Sequence, residues 1–239
     1  VTRRIADEPA YVLHARPYRE TSAIVDLLTR GFGRISAVAR GIRGARRGAA
    51  PPRPFSRLSV ACSGRAQLLT LTAFDPMNHR WLTGEALYAG LYLNELLLRL
   101  LRDDDAHPAV FDGYERALEL VSGDAEPALR RFERLLLKEC GYEITFDCDA
   151  DTGALIDGGR NYRFVPEVGF QAVDEPVDQR DVFAGATLHA IDLDDYAAAH
   201  VRRAAKHIMR RALAPHLGDR PIGSRALYRH EVVRDGGGS

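Results

Sequence analysis

Arginine is concentrated in one short stretch, residues 39–55 (ARGIRGARRGAAPPRPF), which holds Arg40, Arg43, Arg46, Arg47 and Arg53. A guanidinium carries five N–H donors in a planar fork that matches the oxygens of a phosphate. The interleaved Gly41, Gly44 and Gly48 would let several such forks follow one phosphate backbone. Each phosphate neutralised releases condensed counterions, so binding should weaken steeply with salt. The stretch has too little apolar surface to enter a core and is expected to be a mobile surface loop. Arg16, Arg19 and Arg34 add to it from nearby sequence, as do Arg30, Arg57 and Arg65. A nucleic acid is the ligand these residues suit; an ordinary solvated loop is the alternative. Tyr11, Tyr18, Phe32, Phe55 and Phe74 could stack on bases, Tyr18 and Phe32 best, because they sit beside turns.

Catalytic motifs are missing. The chain has no GxxxxGK[ST] phosphate loop, no GxSxG elbow and no HExxH pair, so no catalytic residue and no cofactor is assigned. Asp147, Asp149, Asp151 and Asp157 resemble a calcium loop faintly, without its central glycine spacing or terminal glutamate, and read as a solvated acidic loop. A nuclease using them with a divalent metal is the enzymatic alternative. His200 and His207 could share a helix face, and Cys62, Cys140 and Cys148 form neither a CxxC pair nor a disulfide framework, so no metal site is expected. Arg130 and Arg131 lie one turn into PALRRFERLLL. Beside an apolar groove they could clamp a peptide ending in a hydrophobic residue and a carboxylate; equally, they could be a surface pair bonded to Glu126 or Glu133. A purely structural adaptor that touches proteins and not DNA is the remaining alternative.

The formal net charge is zero, but the charges are segregated. Residues 1–81 hold 14 Arg, no Lys and 5 acidic residues, a net of +9, while residues 82–200 sum to −15 and residues 201–239 to +6. Such blocks suggest a polyanion-binding part joined to a part with another task. The last block includes Arg203, Lys206 and Arg210 on a long amphipathic helix, 195–213, which is expected to give a second DNA-contacting surface. No run approaches a membrane span, and the basic N-terminus has no apolar stretch behind it, so a cytoplasmic, nucleoid-associated location is expected.

The elements that must position these residues change character near residue 81. Before it, apolar segments at 10–15, 22–29, 34–39, 57–63 and 66–74 are separated by turn residues, which fits a small five-stranded barrel of OB or SH3-like type. After it the pattern is helical: 86–101, apolar around most of its circumference; 108–121, opened by Pro108; and 127–140, stopped by Gly141. Residues 143–182 read as irregular. The expected class is α+β: an OB-fold barrel over 1–81, then a helical domain over 82–239 with an irregular insertion at 143–182.

These segments also resemble the RecO family of recombination mediators. His14-Ala15-Arg16-Pro17-Tyr18-Arg19-Glu20-Thr21-Ser22 is similar to its LHxRPxxExS opening, followed by Gly33-Arg34, Ala39-Arg40-Gly41 and Pro54-Phe55. Residues 87–96 (LYAGLYLNEL), 127–133 (PALRRFE), Gly141-Tyr142, Ser224-Arg225 and Leu227 continue the likeness in order. The resemblance implies an N-terminal OB domain, a helical C-terminal domain and an insertion that holds zinc in some members. It implies binding of single- and double-stranded DNA, annealing of complementary strands without nucleotide hydrolysis, and contact with the C-terminal tail of single-stranded DNA-binding protein (SSB). It further implies partnership with RecR and, indirectly, RecA, with RecF a further candidate. Arg130 matches a basic residue that assists the SSB tail, which ends in phenylalanine; Arg131 and Leu91 are placed with it. Zinc-holding members carry four cysteines in the insertion, whereas here only Cys148 remains. The chain therefore resembles the metal-free branch, with a degenerate zinc-finger region held by packing, Tyr162, Phe164 and Phe170 being the candidates.

Overall fold

The computed structural model describes residues 3–40, 52–65, 67–174, 176, 179–224 and 227. Five strands come first: β1 (Arg3–Tyr18), β2 (Ser22–Thr29), β3 (Gly33–Ala39), β4 (Ser56–Gly64) and β5 (Leu68–His79). They close into a barrel in the order β1-β2-β3-β5-β4, antiparallel except for β3 beside β5. This is the OB-fold arrangement. β1 is longer than its apolar core suggested because it serves both sides of the closure, pairing with β4 over residues 3–11 and with β2 over residues 10–18. Register shifts near Asp7 (φ +51°) and at Leu13 let it turn the corner, since an unpaired extra residue bends and twists a strand. Alternate residues of β3, including Ile35 and Ala37, point into a core shared with Val12, Leu27, Leu58, Val60 and Leu69. Cys62 lies in that core, where burial pushes its thiol up to about 11 and keeps it un-ionised and unreactive.

Helices α1 (Gly84–Leu100) and α2 (Pro108–Leu120) follow, the second opening on Pro108, where a missing N–H costs nothing. A short stretch of α1, Gly90 to Glu95, makes three attachments. Asn94, 3% exposed, donates from Nδ2 to the carbonyl of Leu13 (2.8 Å) and accepts on Oδ1 from the Tyr114 hydroxyl (2.5 Å), so one side chain ties α1 to β1 and α2. A Cβ at Gly90 would lie 2.5 Å from Leu82 and 2.9 Å from the Phe55 ring, so only glycine lets the buried Phe55 lie against α1. Glu95 accepts from the backbone N–H of Gly223 (2.9 Å) and Ser224 (3.0 Å) and from Ser224 Oγ (2.9 Å). Burial alone would raise the Glu95 carboxyl, but these bonds and Arg99 outweigh it and hold it below its ordinary value. Compactness divides the chain after α2, into Val1–Ser122 with Pro221–Ser239, and Gly123–Arg220.

The second unit holds α3 (Ala125–Glu139), β6 (Asn161–Val165), β7 (Gly169–Val173), β8 (Val182–Ala184), α4 (Gly185–Asp192) and α5 (Ala199–Leu213). Gly141, at φ +83°, ends α3 as expected: Gly141 N–H bonds the Lys138 carbonyl and Tyr142 N–H the Leu137 carbonyl. Residues 143–182, expected to be irregular, instead carry most of a small sheet in the order β7-β6-β8. Its packing residues are the expected ones, for Tyr162, Phe164 and Phe170 are buried and the Phe170 ring sits 5.1 Å from Phe164 and 5.2 Å from Phe146. α5 begins at Ala199 and not at 195, because Asp194 adopts a positive φ and Asp195 uses its carboxylate to accept the Ala197 N–H. Residues 236–239 lie outside the described residues. Among the described residues no helix is long and apolar enough to cross a membrane.

Replacing Asn94 by Leu keeps the side-chain volume but strands a buried carbonyl and a buried hydroxyl. The expected loss is about 2–4 kcal/mol, read as a lowered denaturant midpoint with an unchanged slope.

Candidate nucleic-acid interface and peptide groove

On the outer face of β1, β2 and β3 the register sets His14, Asp26 and Ser36 in one row. Asp26 is buried, accepts a 2.6 Å bond from Ser36 Oγ, and lies 3.3 Å from Arg16 Nη1 and 3.7 Å from His14 Nδ1. Its carboxylate steadies Arg16, about half of which stays exposed. Ala39 pairs with Ala23, and Ala23 with Pro17, so Arg40 at the end of β3 reaches the same end of this face as Arg16, Tyr18 and Arg19. All three arginines are exposed, and the Arg19 guanidinium lies 5.2 Å over the Tyr18 ring. From Arg40 the chain continues into Arg43, Arg46 and Arg47, which lie outside the described residues. Arg53 is exposed beyond that stretch.

The opposite end of the face is covered. Tyr11 is buried with its ring 5.4 Å from Phe111 and 5.2 Å from Tyr114. Arg34, expected among the DNA contacts, has its guanidinium committed to the Leu101 carbonyl (3.2 Å) and to Asp103 (2.9 Å). Arg3, Arg30, Arg57 and Arg80 are likewise paired with Asp104, Asp112, Glu115 and Glu119. Part of the segregated charge is thus neutralised inside the first unit. Of the aromatics proposed for stacking, Tyr11 and Phe55 are buried and Phe32 and Phe74 pack on the barrel core, which leaves Tyr18.

In the second unit the basic row of α5 is partly spent. Arg202 pairs with Asp124 (2.8 Å), Lys206 with Glu126 (2.8 Å) and Arg211 with Asp181 (3.3 Å), while Arg203 and Arg210 are exposed. The bond from Lys206 holds the Glu126 carboxyl below its ordinary value.

Arg130 is 6% exposed and bonds Glu133, itself fully buried, at 2.9 Å. The bond to Glu133 is the one expected of a structural pair, while Nε and Nη1 of Arg130 are buried without a hydrogen-bond partner among the described residues. Arg131, one residue on, is turned outward over the Tyr196 ring. It borders a cavity of about 260 Å³ lined also by Arg134, Lys138, Leu135, Leu137 and Ile144, with Glu143, Asp192 and Asp194 at its acidic margin. Arg134 and Lys138 were not singled out from the sequence, though their spacing of three and seven residues from Arg131 puts them on one helix face. Leu91 is half-buried on α1 and belongs to the first unit.

Residues 4–80 match the family model described as Recombination protein O N terminal, and residues 82–226 match that described as Recombination protein O C terminal. The chain belongs to the RecO family. It is 45% identical over 226 residues to the DNA repair protein RecO of Stutzerimonas stutzeri, covering 92% of each chain. It is 44% identical over 231 residues to that of Cellvibrio japonicus (94% of this chain, 97% of the relative) and 39% identical over 230 residues to that of Coxiella burnetii (95% and 99%). Membership sets the chain among DNA repair and recombination proteins.

The zinc that some RecO proteins are expected to hold does not fit the insertion of this chain. Cys148 is its one cysteine, and among the described residues no group of three or more His, Cys, Asp or Glu side chains is placed to hold a metal. The neighbouring Asp149 organises the same loop. Buried, it accepts the N–H groups of Asp151 (2.9 Å) and Thr152 (3.0 Å) on one oxygen and that of Ala172 in β7 (2.9 Å) on the other. Asp149 is therefore not part of a solvated acidic loop. Burial alone would raise its carboxyl, but the three N–H donors outweigh that and hold it below its ordinary value.

A carboxyl depressed on folding stabilises above its unfolded value, and that contribution is lost as pH falls through the folded value. Asp149→Ala should destabilise the second unit by about 2–4 kcal/mol at neutral pH. Its difference from the parent chain should shrink below about pH 4, as read by hydrogen exchange of the β7 amides across a pH series.

Proposed function

We propose that this chain is a non-catalytic recombination mediator of the RecF pathway. In this reading it binds single- and double-stranded DNA, anneals complementary strands, takes up the SSB C-terminal tail and, with RecR, promotes RecA loading. Residues 1–81 serve as the DNA-binding module and residues 82–239, around the insertion, as the partner-binding part. The observation that carries the reading is the open end of the OB face, where Arg16, Arg19 and Arg40 stand exposed beside Tyr18. There the chain runs on into the Arg43, Arg46 and Arg47 stretch. Annealing needs two phosphate backbones screened at once. Arg203, Lys206 and Arg210 on α5 supply the second surface.

For the SSB tail, an acidic peptide ending in phenylalanine, we assign the α3 cavity, where Arg131, Arg134 and Lys138 surround Leu135, Leu137 and Ile144 and the tail carboxylates would replace their ion pairs with Asp194, Asp192 and Glu143. Arg131 is assigned the direct contact and Arg130 the support of α3.

Mixing complementary strands coated with SSB tests the function: the protein should speed duplex formation without nucleotide, and no acceleration would remove the annealing role. Arg16→Ala with Arg40→Ala should weaken DNA binding and flatten the slope of log affinity against log salt by about 1.4–1.8, whereas Arg34→Ala should lower stability and leave the slope alone. In a fluorescent tail-peptide titration, Arg131→Ala should weaken binding several-fold. Arg130→Ala should instead cost about 3–5 kcal/mol of stability, because it takes the guanidinium partner from the buried Glu133.

A further inference from the structure

Trp81 is the only tryptophan of the chain and stands 77% exposed just past β5. It is not isolated. The His79 ring meets it edge-on at 4.3 Å and 75°, and Met77, which falls at the register shift of β5 against β4, is 58% exposed. Ser56 Oγ lies 2.9 Å from His79 Nδ1 and steadies the imidazole. Burial, then the nearby Arg53 guanidinium, holds His79 below its ordinary value, so the ring is uncharged at neutral pH. β3 pairs with β5 only over residues 68–71, so this stretch of β5 has β4 on one edge and is open on the other.

The surroundings of this cluster decide what it fits. A protein hot spot is an apolar centre sealed by a ring of further contacts, whereas here exposed Asn78 and Arg53 adjoin the aromatic rings. An unpaired base needs an aromatic face and a cation for its phosphate, and no sealed pocket. We infer that Trp81, supported by His79, is a stacking platform for an unpaired base, with Arg53 at the adjoining phosphate. The inference rests on the DNA-binding reading above and adds a basis for preferring single strands, since a base inside a duplex has no free face to stack.

The single tryptophan reports on the platform directly. The full chain is titrated with oligothymidylate, with an abasic oligomer of equal length and with a blunt duplex, binding being followed separately by anisotropy of a labelled strand. Oligothymidylate should quench the tryptophan and the abasic oligomer should not. Trp81→Ala should weaken oligothymidylate binding about 5- to 150-fold, with most of the affinity kept in Trp81→Phe and duplex binding unchanged. Bound oligothymidylate with unaltered fluorescence and an unaffected Trp81→Ala chain overturns the platform and leaves the DNA-binding reading standing. Equal quenching by the abasic oligomer overturns it too, as does a Trp81→Ala chain that loses RecR binding and keeps its DNA affinity. No anisotropy change with any of the three removes the DNA-binding reading, and the platform with it.

Discussion

The first unit depends on one buried amide. Asn94 spends its donor on the Leu13 carbonyl and its acceptor on the Tyr114 hydroxyl, so the barrel, α1 and α2 share one buried side chain. Leu13 is the residue at which β1 slips register against β2, so the amide also fixes where the barrel bends. Gly90 and Glu95 work from the same stretch of helix, one by admitting Phe55 and the other by holding Gly223 and Ser224. A polar group buried without partners is costly, and a fully satisfied one specifies a single docking geometry.

That docking determines which charges remain available. With α1 and α2 over one end of the β1–β2–β3 face, Asp103, Asp104, Asp112, Glu115 and Glu119 draw off Arg34, Arg3, Arg30, Arg57 and Arg80. The other end keeps Arg16, Arg19 and Arg40 exposed, with Asp26 buried beneath Arg16 as an orienting partner. The surplus of arginine in the first 81 residues therefore serves two purposes, internal attachment and an outward basic surface.

The second unit shows the same economy in different chemistry. Adjacent residues on a helix point about 100° apart, which is how Arg130 turns inward to Glu133 while Arg131 turns outward to the cavity rim. In the insertion, Asp149 gathers three backbone N–H groups and joins the 147–152 loop to β7, and the aromatic cluster of Phe146, Phe164 and Phe170 fills the space beneath.

Local pattern was enough to read the barrel, four of the five helices, the Pro108 start and the Gly141 stop, because period-two burial, helix periodicity and capping residues act over a few positions. It also showed where arginine is concentrated, and an ordered set of motifs carried the family resemblance. Which arginines face outward was not legible, for that depends on acids far along the chain, 69 residues on for Arg34 with Asp103 and 82 for Arg30 with Asp112. The strands of the insertion were hidden behind glycines and prolines, since five-residue strands gain their stability from partners and not from their own sequence. The burial of Arg130, the anchoring role of Asp149 and the exposure of Trp81 belong to tertiary structure alone, because solvent access and hydrogen-bond supply are set only when distant segments meet.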